Sequence, residues 1–126
     1  MKVLCPQDSL ARGIGVVSRA VATRSTLPIL SNILMQTDDG RLKLSATNLE
    51  IGIRCWVKAD VTDPGAITVP ARLLGEFVNQ LPAGPVTLDL NGRNHTVRVS
   101  ADRHKADIKG IDAADFPVLP SVDEGA

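Results

Sequence analysis

The chain has 126 residues, 44% of them apolar and 22% charged, and its 14 basic and 14 acidic side chains cancel. That length and composition specify one soluble globular domain and exclude a disordered tail. No stretch approaches the roughly 18 consecutive apolar residues of a membrane span, and no charged lead with an unbroken apolar run opens the chain, so a cytoplasmic location is expected.

Met1, Val3 and Cys5 alternate with Lys2 and Leu4 as a short strand that stops at Pro6. Asp8 or Ser9 then caps a helix. In it Leu10, Ile14, Val17 and Val21 recur on one stripe, with Arg12 and Arg19 in line on the opposite side. Gly13 and Gly15 weaken this helix, so packing must hold it. Beyond the loop around Arg24 and Pro28, a hairpin runs from Asn32 to Thr37, turns at Asp38-Asp39-Gly40 and returns as Arg41 to Ala46. The next segment reads as a single strand. Its buried face carries Ile51, Ile53, Cys55, Val57, Ala59 and Val61, and its wet face carries Glu50, Gly52, Arg54, Trp56, Lys58 and Asp60. Asp63-Pro64-Gly65 makes a turn.

The second half repeats that order. A strand from Ala66 to Val69 leads through Pro70 into a helix with Leu73, Leu74, Phe77, Val78 and Leu81 as its core positions, ended by Pro82. Three strands follow: Val86 to Leu90, His95 to Ser100 and His104 to Lys109. The pattern strand, helix, three strands thus occurs twice. Eight short strands and two helices, joined mostly at hairpin length, imply an α+β fold: a duplicated β-α-β-β-β unit giving antiparallel sheets with both helices on one side. Pro117, Pro120 and the polar stretch 121–126 read as the end of a domain spanning 1–120 and the start of a linker.

Catalytic chemistry finds little support. His95 and His104 lie in or beside strands and in no catalytic motif, and Cys5 and Cys55 read as small core residues of a reducing compartment. Gly13-Ile14-Gly15 falls inside a helical pattern, where a dinucleotide fingerprint has no use. No cofactor or metal is implied.

Charge is more informative when read by position. Residues 1–37 carry four basic side chains and one acidic, whereas residues 106–126 carry one basic and five acidic. If the helices pack side by side, Arg12, Arg19, Arg24 and Arg72 share a face suited to phosphates; a plain solvated helix surface accounts for the pattern equally well. With no Tyr, one Trp and two Phe, recognition by base stacking is disfavoured.

Four short motifs lie in register along the chain: Thr26-Leu27-Pro28-Ile29-Leu30-Ser31-Asn32, Thr47-Asn48-Leu49-Glu50, Val69-Pro70-Ala71-Arg72 and Asp115-Phe116-Pro117. In order and spacing they resemble the first domain of the bacterial DNA polymerase III beta subunit family, the sliding clamps, and the doubled unit matches that family's DNA-clamp fold. The resemblance implies a non-catalytic processivity factor. In that family each subunit strings together three similar domains, and two subunits close head to tail around double-stranded DNA, with helices lining the hole and sheets forming the wall. The DNA polymerase III catalytic subunit and the clamp loader would bind through domains this chain lacks.

By the same resemblance, Arg24 and Arg72 would approach the DNA backbone, and Arg12 and Arg19 join them on helical geometry. Arg103, Lys105, Ala106 and Ile108 match the strand edge that meets the neighbouring subunit. Two departures matter. Asn48 stands where the family often has Asp, and Ala106 where some members carry a large aromatic, which implies a smaller apolar contact. Two other functions fit the residues alone: a small sheet-based protein-interaction domain, or a hydrolase without DNA contact.

Overall fold

The computed structural model describes residues 1–23 and 27–120. Its elements, in chain order, are β1 (Lys2–Pro6), α1 (Gln7–Val17), β2 (Asn32–Asp38), β3 (Arg41–Thr47), β4 (Gly52–Lys58) and β5 (Asp60–Asp63). They continue as β6 (Ala66–Pro70), α2 (Ala71–Asn79), β7 (Pro85–Asn91), β8 (Thr96–Ala101) and β9 (His104–Lys109). Short 3-10 turns occupy Ser18–Ala20, Pro28–Ser31 and Ala113–Asp115.

Two antiparallel sheets result, ordered β4-β3-β2-β6 and β5-β1-β7-β8-β9. The expected duplication is present with one addition: each unit lends its first strand to the sheet of the other. β1 leaves β2–β4 to pair with β7, and β6 leaves β7–β9 to pair with β2. This exchange makes one core of the two halves. Val3, Leu10, Ile14 and Met35 of the first unit are buried in the same cluster as Val69, Leu74, Leu88 and Val99 of the second. Burying one such side chain contributes roughly 1.5–3 kcal/mol, so neither half is expected to fold alone.

The strand expected over residues 50–61 is in fact two. It breaks at Ala59; β4 pairs with β3, whereas β5 crosses to the other sheet and pairs with β1 through Val3↔Val61 and Leu4↔Asp60. The alternation of Val57, Ala59 and Val61 runs unbroken through this corner, which is why the pattern reads as one strand. Only Val57 of its apolar face is fully buried, and Ile51 is exposed.

Helix α1 is capped two residues before Asp8 and three before Ser9, the expected caps. Pro6 occupies the N-cap without a side-chain hydrogen bond, and Gln7 Nε2 donates to the Val78 carbonyl at the C-terminal end of α2. Asp8 sits in the first turn, where the helix dipole favours a carboxylate. The helix closes at Val17, so Arg19 and Val21 lie in and after a 3-10 turn rather than in the helix. Leu10, Ile14 and Val17 are buried as the spacing requires. In α2, Leu74 and Val78 are buried but Leu73 is 55% exposed, against the expectation of a core position.

Three of the four motifs prove to be structural devices. Asn32 is buried and its Nδ2 donates to Thr68 Oγ1 at 3.0 Å, tying β2 to β6. Thr47 and Asn48 build the β3–β4 turn: Asn48 Oδ1 accepts from the Glu50 and Ile51 amides, and Thr47 Oγ1 accepts from the Leu49 amide. Leu49 is thereby held at φ +79°. Asp112 Oδ1 accepts from the Ala114 amide to start the turn that ends before Phe116-Pro117. No helix among the described residues is long and apolar enough to cross a membrane.

Candidate functional site

Two surfaces follow from this framework. The first is the exposed side of the helices. α1 packs on β3, β4 and α2, and a Cβ added at Gly75 of α2 would stand 3.4 Å from Ile14 Cγ2, so the two helices lie in close contact. Their inward stripes are consumed by the core, which leaves Arg12 of α1 exposed; Arg19, in the 3-10 turn that follows the helix, is exposed as well. Among the described residues neither arginine has a carboxylate partner.

Arg72 is exposed in the first turn of α2, but its Nε donates to Glu76 Oε1 at 3.0 Å. A cation at a helix N-terminus opposes the dipole, and the i,i+4 carboxylate offsets that. Arg72 is therefore partly neutralised, a pairing that the spacing Arg72 to Glu76 already allows. No side-chain interaction joins Arg12, Arg19 and Arg72. Arg24 lies outside the described residues.

The second surface is an edge. β9 ends the five-stranded sheet and pairs only with β8, so the other side of its backbone is unpaired among the described residues. Of the four positions expected there, Lys105 is exposed and Ala106 half-buried, while Ile108 is buried opposite Val97. Arg103 lies in the β8–β9 turn rather than in the strand.

Beside this edge is a feature that periodicity placed in the core. A groove of about 460 Å³ runs between α2 and β9, lined by Leu73 and Phe77 on one side and by Ala106 to Lys109 on the other. The signal was present in the sequence: Leu73 and Phe77 form a second stripe beside Leu74, Val78 and Leu81, and two adjacent stripes imply two contact surfaces.

On the outward face of the same sheet, Arg98 clasps Asp107 across the β8–β9 register, Nε to Oδ1 at 2.8 Å and a second nitrogen to Oδ2 at 3.2 Å. The Arg98 hydrogen bond holds the Asp107 carboxyl below its usual range.

The residues weighed for catalysis are dispersed. Burial pushes the Cys5 thiol up to about 12, so it stays protonated and unreactive. His95 adopts φ +54° and approaches Asp112 at 3.8 Å, and His104 is exposed at the start of β9. No buried side-chain polar atom among the described residues lacks a hydrogen-bond partner.

The family described as DNA polymerase III beta subunit, N-terminal domain, matches residues 1–120. The beta sliding clamp of a Synechocystis species is 40% identical over 98% of this chain and 33% of its own length, and that of Escherichia coli is 36% identical over 94% of this chain and 32% of its own. The crystal structure of the DNA polymerase sliding clamp from Caulobacter crescentus superposes with a TM-score of 0.91 at 37% identity, over 98% of this chain and 34% of that one. The chain thus spans about a third of the length of the curated relatives it matches.

Proposed function

Because the chain belongs to the family of the DNA polymerase III beta subunit N-terminal domain, we propose that it is one module of a ring-shaped sliding clamp. In this reading it encircles double-stranded DNA and serves as a replication processivity factor. The observation that carries the reading beyond family membership is the pair of exposed arginines without a carboxylate partner among the described residues, Arg12 on α1 and Arg19 in the 3-10 turn that follows it. Such side chains touch phosphates without reading bases, which is what sliding needs. Arg72 contributes less while Glu76 holds it, and Arg24 completes the set.

The module has no chemistry of its own. Its effect is topological: a closed ring raises the concentration of the tethered polymerase at the primer end. In this reading the polymerase catalytic subunit and the loader engage other parts of a cytoplasmic clamp subunit. The free β9 edge supports a head-to-tail homodimer. Lys105 and Ala106 would be joined there by Leu73 and Phe77 of the adjoining groove, with Arg103 at the turn and Ile108 supporting the strand from the core.

The test is charge reversal in the full-length subunit. Arg12→Glu with Arg19→Glu should reduce the amount of subunit loaded onto nicked circular duplex at least tenfold, and Arg72→Glu alone should do so less. Loading unchanged by the double reversal would favour a sheet-based interaction domain that never meets DNA.

A further inference from the structure

The four-stranded sheet has a second face, turned away from the helices, and its charge is one-sided. Along β3 the side chains of Leu42 and Leu44 enter the core, so Arg41 and Lys43 point outward; along β4, Val57 enters the core, so Arg54, Trp56 and Lys58 point outward. The register sets Lys43 opposite Trp56 and Arg41 opposite Lys58. Four cations therefore surround one indole. Among the described residues none of them has an ion-pair partner.

The indole is fixed rather than loose. Its Nε1 donates to Asp38 Oδ2 at 2.8 Å, and the Arg41 guanidinium and Lys43 ammonium lie 5.6 and 5.7 Å from the ring centroid. Asp38 stands opposite Arg41 in the register, and its carboxylate is engaged by the tryptophan. Like charges gathered this closely repel, and surface cations are ordinarily interspersed with carboxylates. At the other end of the face Leu119 packs against Gly52.

We propose that this outer face, centred on Trp56 with Arg41, Lys43, Arg54 and Lys58, docks an extended acidic segment of a partner protein. Charge complementarity sets the sign of the occupant. Spacing favours a peptide: alternate residues of a strand lie about 6.7 Å apart, so carboxylates at every second position of an extended segment repeat with the same period as Arg41/Lys43 and as Arg54/Trp56/Lys58. Single-stranded nucleic acid is the lesser fit. Base stacking needs open ring faces in series, whereas here there is one indole and two cations already cover it. The surface is separate from Arg12 and Arg19, which lie on the helical side.

Trp56 is the chain's only tryptophan, and it is 43% exposed, so its emission reports on this face alone. The probe is a blocked, dye-labelled (Glu-Ser)5 peptide at low salt, followed by its anisotropy and by Trp56 emission. Saturable binding that shifts Trp56 emission is expected. Arg41→Glu with Lys58→Glu should weaken it at least tenfold, and Lys43→Gln with Arg54→Gln about threefold. A control of equal charge change on other strands and turns, Lys2→Glu with Arg93→Glu, should weaken it less than twofold. Three outcomes overturn the proposal: no saturable binding, equal losses in the Arg41/Lys58 reversal and the control, or oligothymidylate that displaces the peptide and binds more tightly at Trp56. Thermal melts identify any variant that fails to fold, and the neutral pair then decides.

Discussion

Gly13 lies so close to Val57 that a Cβ built on it would stand 2.9 Å from Val57 Cγ2 and 3.0 Å from Leu44 Cδ1. The absent side chain lets α1 settle directly onto β3 and β4. Two residues on, Gly15 has nothing within 4 Å of the same position. One helix thus contains a glycine required by packing and one required by nothing nearby.

The two should respond oppositely to alanine. Gly15→Ala should raise stability by about 0.5–1 kcal/mol through helix propensity. At Gly13 the same gain is outweighed by overpacking of about 1–3 kcal/mol, because the β-branched Val57 has little rotamer freedom. Urea unfolding of the two variants measures both. Equal stabilisation would mean that α1 sits farther from the sheet than described.

Thr68 is fully buried and joins three segments: its hydroxyl accepts from Asn32 Nδ2, donates to the Ile111 carbonyl at 2.9 Å, and its backbone pairs with Ile111 in both directions. Thr68→Val keeps the volume but orphans the Asn32 amide, at a cost of about 1–3 kcal/mol. Thr68→Ser should cost less, since the hydroxyl survives. Hydrogen exchange at the Ile111 amide should accelerate in the Val variant; unchanged exchange and stability would show that water replaces the hydroxyl.

The order of elements was legible because each half carries its own periodicity and turn residues. What escaped is physically long-range. The exchange of β1 and β6 between sheets depends on pairings such as Lys2↔Asp89 and Asn32↔Pro70, which leave no local trace. The corner at Ala59 is masked because the apolar phase continues through it. At the candidate site, the exposure of Arg12 and Arg19 was legible, but a helical line joining them was not, since α1 ends at Val17 and Arg19 sits in a 3-10 turn; Leu73 escapes because periodicity records which side chains seek cover and not what covers them. Arg103 fell in a turn because Asp102, at φ +53°, reverses the chain one residue before it.

The Arg98–Asp107 pair sets a pH signature. Asp107 is held below the ordinary carboxylate value, first by the Arg98 hydrogen bond and further by its charge. A depressed folded-state value means the pair supports the fold above the unfolded carboxylate range near ~4, and that support is lost as pH falls through the depressed value. Both groups are exposed, so the effect on stability is small. NMR titration should find Asp107 below the ordinary carboxylate range, and Arg98→Ala should return it to that range.

The isolated domain should bind duplex DNA weakly, with Kd no tighter than ~100 µM at physiological salt and a shallow salt dependence, because it offers few phosphate contacts. Fluorescence anisotropy with a labelled duplex measures this. Sub-micromolar binding by the 126-residue chain would mean that affinity resides in contacts rather than in ring closure.

If the module acts by topology, its hold on DNA depends on the DNA having no free ends. The direct measurement is the lifetime of the full-length subunit on DNA, loaded onto a nicked circle and followed before and after a single restriction cut. A topological link gives long retention on the circle and release by sliding off the ends within the time of linearisation. Equal lifetimes on circle and linear DNA would contradict it.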